Sequence, residues 1–244
     1  MTRIHSALRH PQAWRRSVVL VTIGFGLASF GCGEDEPTGP SEGRDDTPVN
    51  SSPQGALGRM AWALENEDDV AYADLFTRDF TFRFSADTDP SLVLQYGLAF
   101  RRGSEIAFAR HLFDGFTNVN GDSLGGSVAM SVDLNQVIMM DDPEYPDSTA
   151  HYRFASAPAV VAAIQVPRSS QVVTVNLTGR QDFFLVRGDA AALTAGQEAR
   201  SDRWYVRGWD DRSLAVAKRG GRDGRGSLVE PFSTWGRLKH EYLR

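Results

Sequence analysis

The chain has 244 residues, of which 41% are hydrophobic and 23% charged, an ordinary composition for a globular protein. Its formal net charge of −5 argues against nucleic acid as a partner, because such binding depends on an excess of Lys and Arg that neutralises phosphates. A single cysteine excludes an internal disulfide, so a packed core must stabilise the fold.

Residues 1–31 have the features of an export signal. Two adjacent arginines precede a short apolar run, residues 17–30, and the only cysteine, Cys32, follows almost at once. A basic segment followed by a short apolar one is typical of a secretory signal, and the run is too short for a transmembrane helix. The position of Cys32 resembles the lipobox of bacterial lipoproteins. This resemblance implies an exported protein, lipid-anchored in the cell envelope on the outer-membrane or periplasmic side; an uncleaved anchor is the alternative.

Residues 32–51 have the composition of a tether. They combine Gly, Pro, Ser and acidic residues with very few apolar ones. Such a segment cannot bury enough apolar surface to offset the entropy lost on ordering. We therefore expect a disordered linker that holds the following domain away from the membrane.

From Ser52 the pattern becomes that of a folded domain, residues 52–212. Ser52 and Pro53 predict the N-terminus of a helix, and Asp68 and Asp69 separate it from a shorter second helix. Alternating phenylalanines then predict a strand with one buried face. The apolar positions are Leu57, Met60, Ala61 and Leu64 in the first helix, Val70, Ala73, Leu75 and Phe76 in the second, and Phe80, Phe82 and Phe84 in the strand.

A third helix and a run of strands follow. The helix is predicted from Ser104, and its apolar stripe consists of Ile106, Ala109, Phe113 and Phe116, widened by Phe108 and Leu112. Because the later strands follow one another without intervening helices, the sheet should be mostly antiparallel with helices on one side, an α+β domain. These strands are predicted at residues 128–134, 151–154, 160–166, 171–177, 181–187 and 203–209.

The C-terminal segment, residues 213–244, contains a glycine-rich basic loop and then an amphipathic helix. Ser233 or Thr234 can cap this helix, and one face carries Phe232, Trp235, Leu238 and Tyr242. We expect the face to dock on the outer face of the sheet or on the first helix, because an exposed stripe of this kind would be adhesive. The alternative is that it waits for a partner or lies on the membrane, with Arg237, Lys239 and Arg244 toward the headgroups.

Four features of the domain occur together: two N-terminal helices, an aromatic strand after Arg78-Asp79-Phe80, a helix that opens on Arg102 and Glu105, and the run Trp204, Val206, Trp209 and Asp211. Together they resemble the nuclear transport factor 2-like superfamily, which includes SnoaL-like polyketide cyclases and ketosteroid-isomerase-like proteins. Within it the chain is most similar to uncharacterised bacterial secreted lipoproteins, which share the opening Leu75–Phe84 and the ending Thr234–Lys239. The resemblance implies a cystatin-like fold, in which a strongly curved, mostly antiparallel sheet and the N-terminal helices form a cone-shaped pocket.

No residue has a strong catalytic signature. Asp79, Asp133 and Asp182 are the carboxylates nearest to strands, and His111 and His151 are single histidines, for which structural roles are expected. The sequence has no metal-binding pattern and gives no sign of a cofactor. Arg102 and Glu105 lie one helical turn apart and can form an exposed pair of little energetic value.

We therefore predict a membrane-tethered, non-enzymatic module that binds a small apolar ligand or a protein, with a homodimer left open. The candidate lining residues of its pocket are Phe82, Phe84, Phe113 and Trp204. The alternative is a cyclase or isomerase that uses a buried carboxylate in the cone as a general base. Fold alone does not decide between them.

Overall fold

A computed structural model describes residues 47–84, 93–94, 97, 99–117, 123–168, 171–213 and 234–243. The predicted signal peptide, most of the tether and Phe232 lie outside these ranges. No helix within them is long and apolar enough to cross a bilayer.

The first helix forms as predicted, whereas the second turns a different face inward. Helix α1 spans Pro53–Glu65, and the Ser52 side chain accepts a hydrogen bond from the Gly55 amide at 3.0 Å. Helix α2 spans Asp69–Asp74 and begins after Asp68, whose carboxylate caps it. The prediction that Val70 is part of the core is wrong, because its side chain is 72% exposed. Tyr72 is buried instead, and its hydroxyl donates a hydrogen bond to Glu105 inside the domain.

The sheet is mixed but mostly antiparallel, which confirms the predicted α+β class. The described strands are β1 (Phe76–Arg83), β2 (Ala99–Arg101), β3 (Phe116–Thr117), β4 (Ser123–Leu124), β5 (Ser127–Val132), β6 (Ile138–Asp141), β7 (Tyr152–Arg168), β8 (Gln171–Gly188) and β9 (Arg200–Ser213). Seven of them form one sheet in the order β2-β1-β9-β8-β7-β5, with β6 also paired to β7, and β3 and β4 form a separate pair. Among the pairs of the large sheet only β1 and β9 are parallel.

Two long strands replace four shorter predicted ones. Strand β7 continues past Pro158 because the register shifts there, between Ala157 and Val160, and such a bulge accommodates a residue without an amide hydrogen. Strand β8 continues through Gly179, whose φ of 147° is open to glycine. Pro158 and Gly179 do change the local backbone, but the hydrogen-bonded pairing of β7 with β8 continues past both residues.

The third helix buries part of the predicted stripe together with one charged residue. Helix α3 spans Arg102–Asp114 and buries Glu105, Phe108, Ala109 and Leu112, the i, i+3, i+4, i+7 positions of one face. The prediction included the three apolar residues of this face and left out Glu105, because it is charged. Ile106 and Phe113, at the edge of the predicted stripe, are only half-buried.

The N-terminal boundary of the domain lies earlier than predicted. Asn50, which the sequence placed in the tether, is buried, and its side-chain amide donates to the Trp204 carbonyl at 2.9 Å. The Trp204 amide in turn donates to the Asn50 carbonyl at 2.7 Å. These reciprocal bonds attach the chain to β9, so Asn50 belongs to the folded domain.

The sheet and the helices enclose one large apolar core, with Phe82 at its centre. Phe82 is 0% exposed and packs edge-on against Trp209 at a centroid distance of 5.2 Å. Phe82→Ala is expected to lower the free energy of unfolding by about 3–5 kcal/mol, because the cavity remains largely unfilled. Chemical denaturation measures this loss, and the exposed Val70→Ala should change stability by less than about 0.5 kcal/mol. A loss below about 1 kcal/mol for Phe82→Ala would contradict the buried position.

Candidate functional site

A charged cluster lies inside the core, where three helices approach the sheet. Glu105 of α3 is fully buried, as is Lys239 of the C-terminal helix α4 (Trp235–Tyr242). The Lys239 ammonium donates to both carboxylate oxygens of Glu105, at 2.8 and 2.7 Å. The Tyr72 hydroxyl of α2 donates to the same carboxylate at 2.6 Å. We call Tyr72, Glu105 and Lys239 the interior triad.

Aromatic rings surround the ammonium of the triad. The Nζ of Lys239 lies 3.6 Å from the centroid of Phe82 and 3.9 Å from that of Trp209. The faces of aromatic rings attract cations, most strongly where water is excluded. Burial lowers the pKa of Lys239 to about 8, although the Glu105 carboxylate opposes this effect. Burial, followed by the charge of Glu105, holds the pKa of Tyr72 well above its usual value, so the hydroxyl remains a donor.

A second buried carboxylate, Asp211, connects β9 to the start of α4. It accepts hydrogen bonds from the Gly236 amide at 3.2 Å and from the Gln181 side chain at 3.2 Å. The negative charge lies at the helix N-terminus, where the free amides favour it. Gln181 also accepts from the Trp209 indole at 2.7 Å, so the network is continuous with the aromatic cage around Lys239.

The C-terminal helix docks through its apolar face, on the inner side of the sheet. Trp235, Leu238 and Tyr242 are at most 1% exposed. Trp235 packs against Trp209 of β9, and Tyr242 packs edge-on against Phe108 of α3. Docking on the domain is therefore as predicted, with Thr234 as the cap. The predicted location, on the outer face of the sheet or on α1, is wrong.

Sequence reasoning also placed Lys239 on the wrong side of this helix. The membrane alternative turned it toward lipid headgroups, yet its side chain is 0% exposed. The motif Thr234–Lys239 contains two basic residues, Arg237 and Lys239, and its local pattern does not show that Lys239 has a buried partner. The partner is 134 positions away in the chain and cannot be identified from local pattern.

The carboxylates and histidines that the sequence offered as candidates lie outside the interior triad. Asp79 and Asp133 are exposed, whereas Asp182 is 2% exposed and accepts from Ser156 at 2.7 Å and from Arg180 at 2.8 Å. Strand alternation puts Asp182 on the sheet face opposite to Phe183 and the core. His111 stacks on Phe116 and contacts the Tyr242 carbonyl at 2.6 Å, and His151 contacts Asp189 at 2.8 Å.

The four predicted pocket residues differ in their surroundings. Phe82 is buried beneath the Lys239 ammonium, and Phe84, Phe113 and Trp204 are half-buried against the same core. Their role in ligand binding stays a prediction. Arg102 does not pair with Glu105, since its guanidinium donates instead to the carbonyls of Phe76 at 3.2 Å and Ala73 at 2.9 Å.

The interior triad is a buried, hydrogen-bonded ion pair. Glu105 accepts three hydrogen bonds, and Lys239 covers its carboxylate from the side of α4. The carboxylate therefore joins α2, α3 and α4.

A scan of the sequence against protein-family models found no match, and a search of curated proteins found none. Solved structures with a similar fold include an NTF2-like protein of unknown function in nutrient uptake from Rhodospirillum rubrum. It is 14% identical, with a TM-score of 0.36 over 64% of this chain and 92% of that one.

Two further solved structures have a similar fold. A ketosteroid isomerase-like protein from Erwinia carotovora is 12% identical, with a TM-score of 0.38 over 68% of this chain and 94% of that one. A domain of unknown function with a cystatin-like fold from Nostoc punctiforme is 14% identical, with a TM-score of 0.37 over 67% of this chain and 76% of that one.

Proposed function

We propose that the protein is a lipid-anchored protein of the bacterial cell envelope, whose folded domain binds a small ligand or a protein partner and catalyses no reaction. The anchor would be Cys32, at the end of the predicted export signal, and residues 33–46 would supply most of the tether. The domain would then act at the membrane surface.

The observation that carries the non-catalytic part is that two buried carboxylates, Glu105 and Asp211, are held by donors of the protein itself. Glu105 is bound by Tyr72 and Lys239. Asp211 is bound by the Gly236 and Ser213 amides and by the Gln181 side chain. An isomerase or cyclase of this fold needs a carboxylate that is free to accept a proton from its substrate. These hydrogen bonds therefore support a structural role for both groups.

The competing function is a cyclase or isomerase in which Glu105 acts as the base. It requires α4 to leave the interior so that the carboxylate becomes accessible. Turnover of a ketosteroid or polyketide substrate that is lost in Glu105→Gln, with an unchanged circular dichroism spectrum, would favour this function over ours. A variant that loses its fold would not, because the loss of the triad accounts for it.

Lipidation of Cys32 tests the anchor. In cells labelled with a fatty-acid analogue, the wild-type protein should incorporate label and Cys32→Ala should incorporate none, because the thiol is the acceptor. Ser29→Ala is the matched control, since it changes the same segment and keeps the thiol. Equal labelling of wild type and Cys32→Ala would rule out the lipid anchor.

A further inference from the structure

A second site of distinctive chemistry lies where β1, the start of α3 and the loop before β9 meet. It is a small cavity of about 230 Å³, and three guanidinium groups line it, those of Arg78, Arg102 and Arg200. We call it the arginine pocket. None of the residues of the interior triad lines it. Arg78 and Arg102 both belong to the sequence motifs, and the interior triad uses neither.

Arg102 is fixed in the pocket by the backbone. Its Nε and one terminal nitrogen donate to the carbonyls of Phe76 and Ala73. These bonds hold the plane of the guanidinium without neutralising its charge, because both acceptors are uncharged. Arg102 is also the first residue of α3, and no side chain caps that helix, so the N-terminal amides add positive potential nearby.

The Arg78 guanidinium packs against Gly196, where any side chain would occupy the same space. Gly196 has a φ of +86°, and a Cβ at this position would lie 2.4 Å from a terminal nitrogen of Arg78. The Arg78 amide donates to the Gln197 side chain at 3.1 Å, which joins β1 to the same loop. The Arg78 side chain is exposed and forms no ion pair with a described residue. Its guanidinium is therefore free to bind a ligand.

The two carboxylates that also line the cavity, Asp74 and Glu198, do not balance these charges. Asp74 pairs with Arg203 at 2.9 Å, and Glu198 pairs with Arg200 at 3.4 Å. Arg78 and Arg102 keep their positive charge. Tyr205 also lines the cavity, and burial raises the pKa of its hydroxyl, which therefore stays protonated at neutral pH.

We propose that the arginine pocket binds the oxyanion of a small ligand, a phosphate monoester or a short carboxylate. The planar fork of a guanidinium suits both groups, because it donates two parallel hydrogen bonds. The cavity is smaller than the ~300–1,000 Å³ of pockets for drug-sized molecules, which favours a ligand of few atoms. The inference goes beyond the anchored binding role and does not depend on lipidation of Cys32.

The test is binding of inorganic phosphate and of acetate to the full chain. Phosphorus line broadening and proton saturation-transfer NMR follow the two probes at constant ionic strength. We expect saturable binding of one or both, with a dissociation constant of about 1 mM or below. Arg78→Gln should weaken it at least about tenfold, because one of the two uncompensated charges is lost. Saturation by one probe alone assigns the ligand class to that oxyanion.

Arg110→Gln is the matched control, with the same change in charge two turns further along α3. Arg110 is 60% exposed and pairs with Asp69 outside the pocket. The Arg110→Gln substitution should leave the dissociation constants of phosphate and acetate unchanged, and circular dichroism checks the fold of both variants. Absence of saturable binding for both probes, or equal weakening by both variants, would overturn the proposal. If the protein binds phosphate but carries no lipid, the proposed anchor at Cys32 is wrong and the proposed oxyanion site is unaffected.

Discussion

Lys239→Met is expected to lower the free energy of unfolding by about 3–5 kcal/mol, as is usual when one partner of a buried ion pair is removed. The reason is that Glu105 would remain buried with Tyr72 as its remaining donor. The methionine has a similar length, so little of the loss comes from packing. Chemical denaturation followed by tryptophan fluorescence measures the change.

The double variant Glu105→Leu/Lys239→Met separates the charge effect from packing. Replacing both partners of a buried pair with apolar residues is often neutral or stabilising. The double variant should therefore recover most of the stability that Lys239→Met loses. Additive losses would mean that the two side chains do not act as a pair, contrary to the contacts at 2.7 and 2.8 Å.

The same comparison has a pH dependence with a definite sign. The pKa of Lys239 falls from 10.5 to about 8 on folding, so between these values the unfolded chain holds a proton that the folded protein has released. The free energy of unfolding therefore rises with pH between about 8 and 10.5, because the cost of burying the charged ammonium is fully present below about pH 8 and absent above 10.5. As the pH rises from 8 to 10, the free energy of unfolding of the wild type should increase relative to that of the double variant.

The sequence predicted the elements of the fold better than their contacts. The alternation of Phe80 and Phe82 and the periodicity of α1 follow from local rules, and both were correct. The parallel pairing of β1 with β9 was not predictable in this way, because it joins the first and last of the described strands, which are more than a hundred residues apart. Strand periodicity identifies a buried face and carries no information about a distant neighbour.

The interior triad was missed for a related reason. The apolar pattern of α3 identified Phe108, Ala109 and Leu112 but left out Glu105, which completes the same buried face. A buried charge is compatible with a core only when its partner is known. Here the partner belongs to the last helix, and the residue that begins its docking, Asp211, belongs to another motif. Three motifs that are separate in the sequence, those of Glu105, Asp211 and Lys239, therefore contribute to one connected site.

Deletion of residues 226–244 should lower the melting temperature by about 10 °C or more. It removes α4 and, with it, the buried side chains of Trp235, Leu238 and Tyr242, each of which contributes about 1.5–3 kcal/mol by burial. A domain of this size loses about 2–4 °C per kcal/mol. The deletion also leaves Glu105 without Lys239, which adds to the loss.

Deletion of Arg244 alone is the control, because it keeps the whole of α4 and should leave the melting temperature unchanged. In the intact protein Trp235 should emit at short wavelength, as expected for an indole that is 1% exposed beside Trp209. An unchanged melting temperature for the long deletion, together with water-like emission from Trp235, would show that α4 is not docked in solution. Its apolar face would then be available to the membrane or to a partner, and the interior carboxylate would be accessible, which would restore the enzymatic alternative.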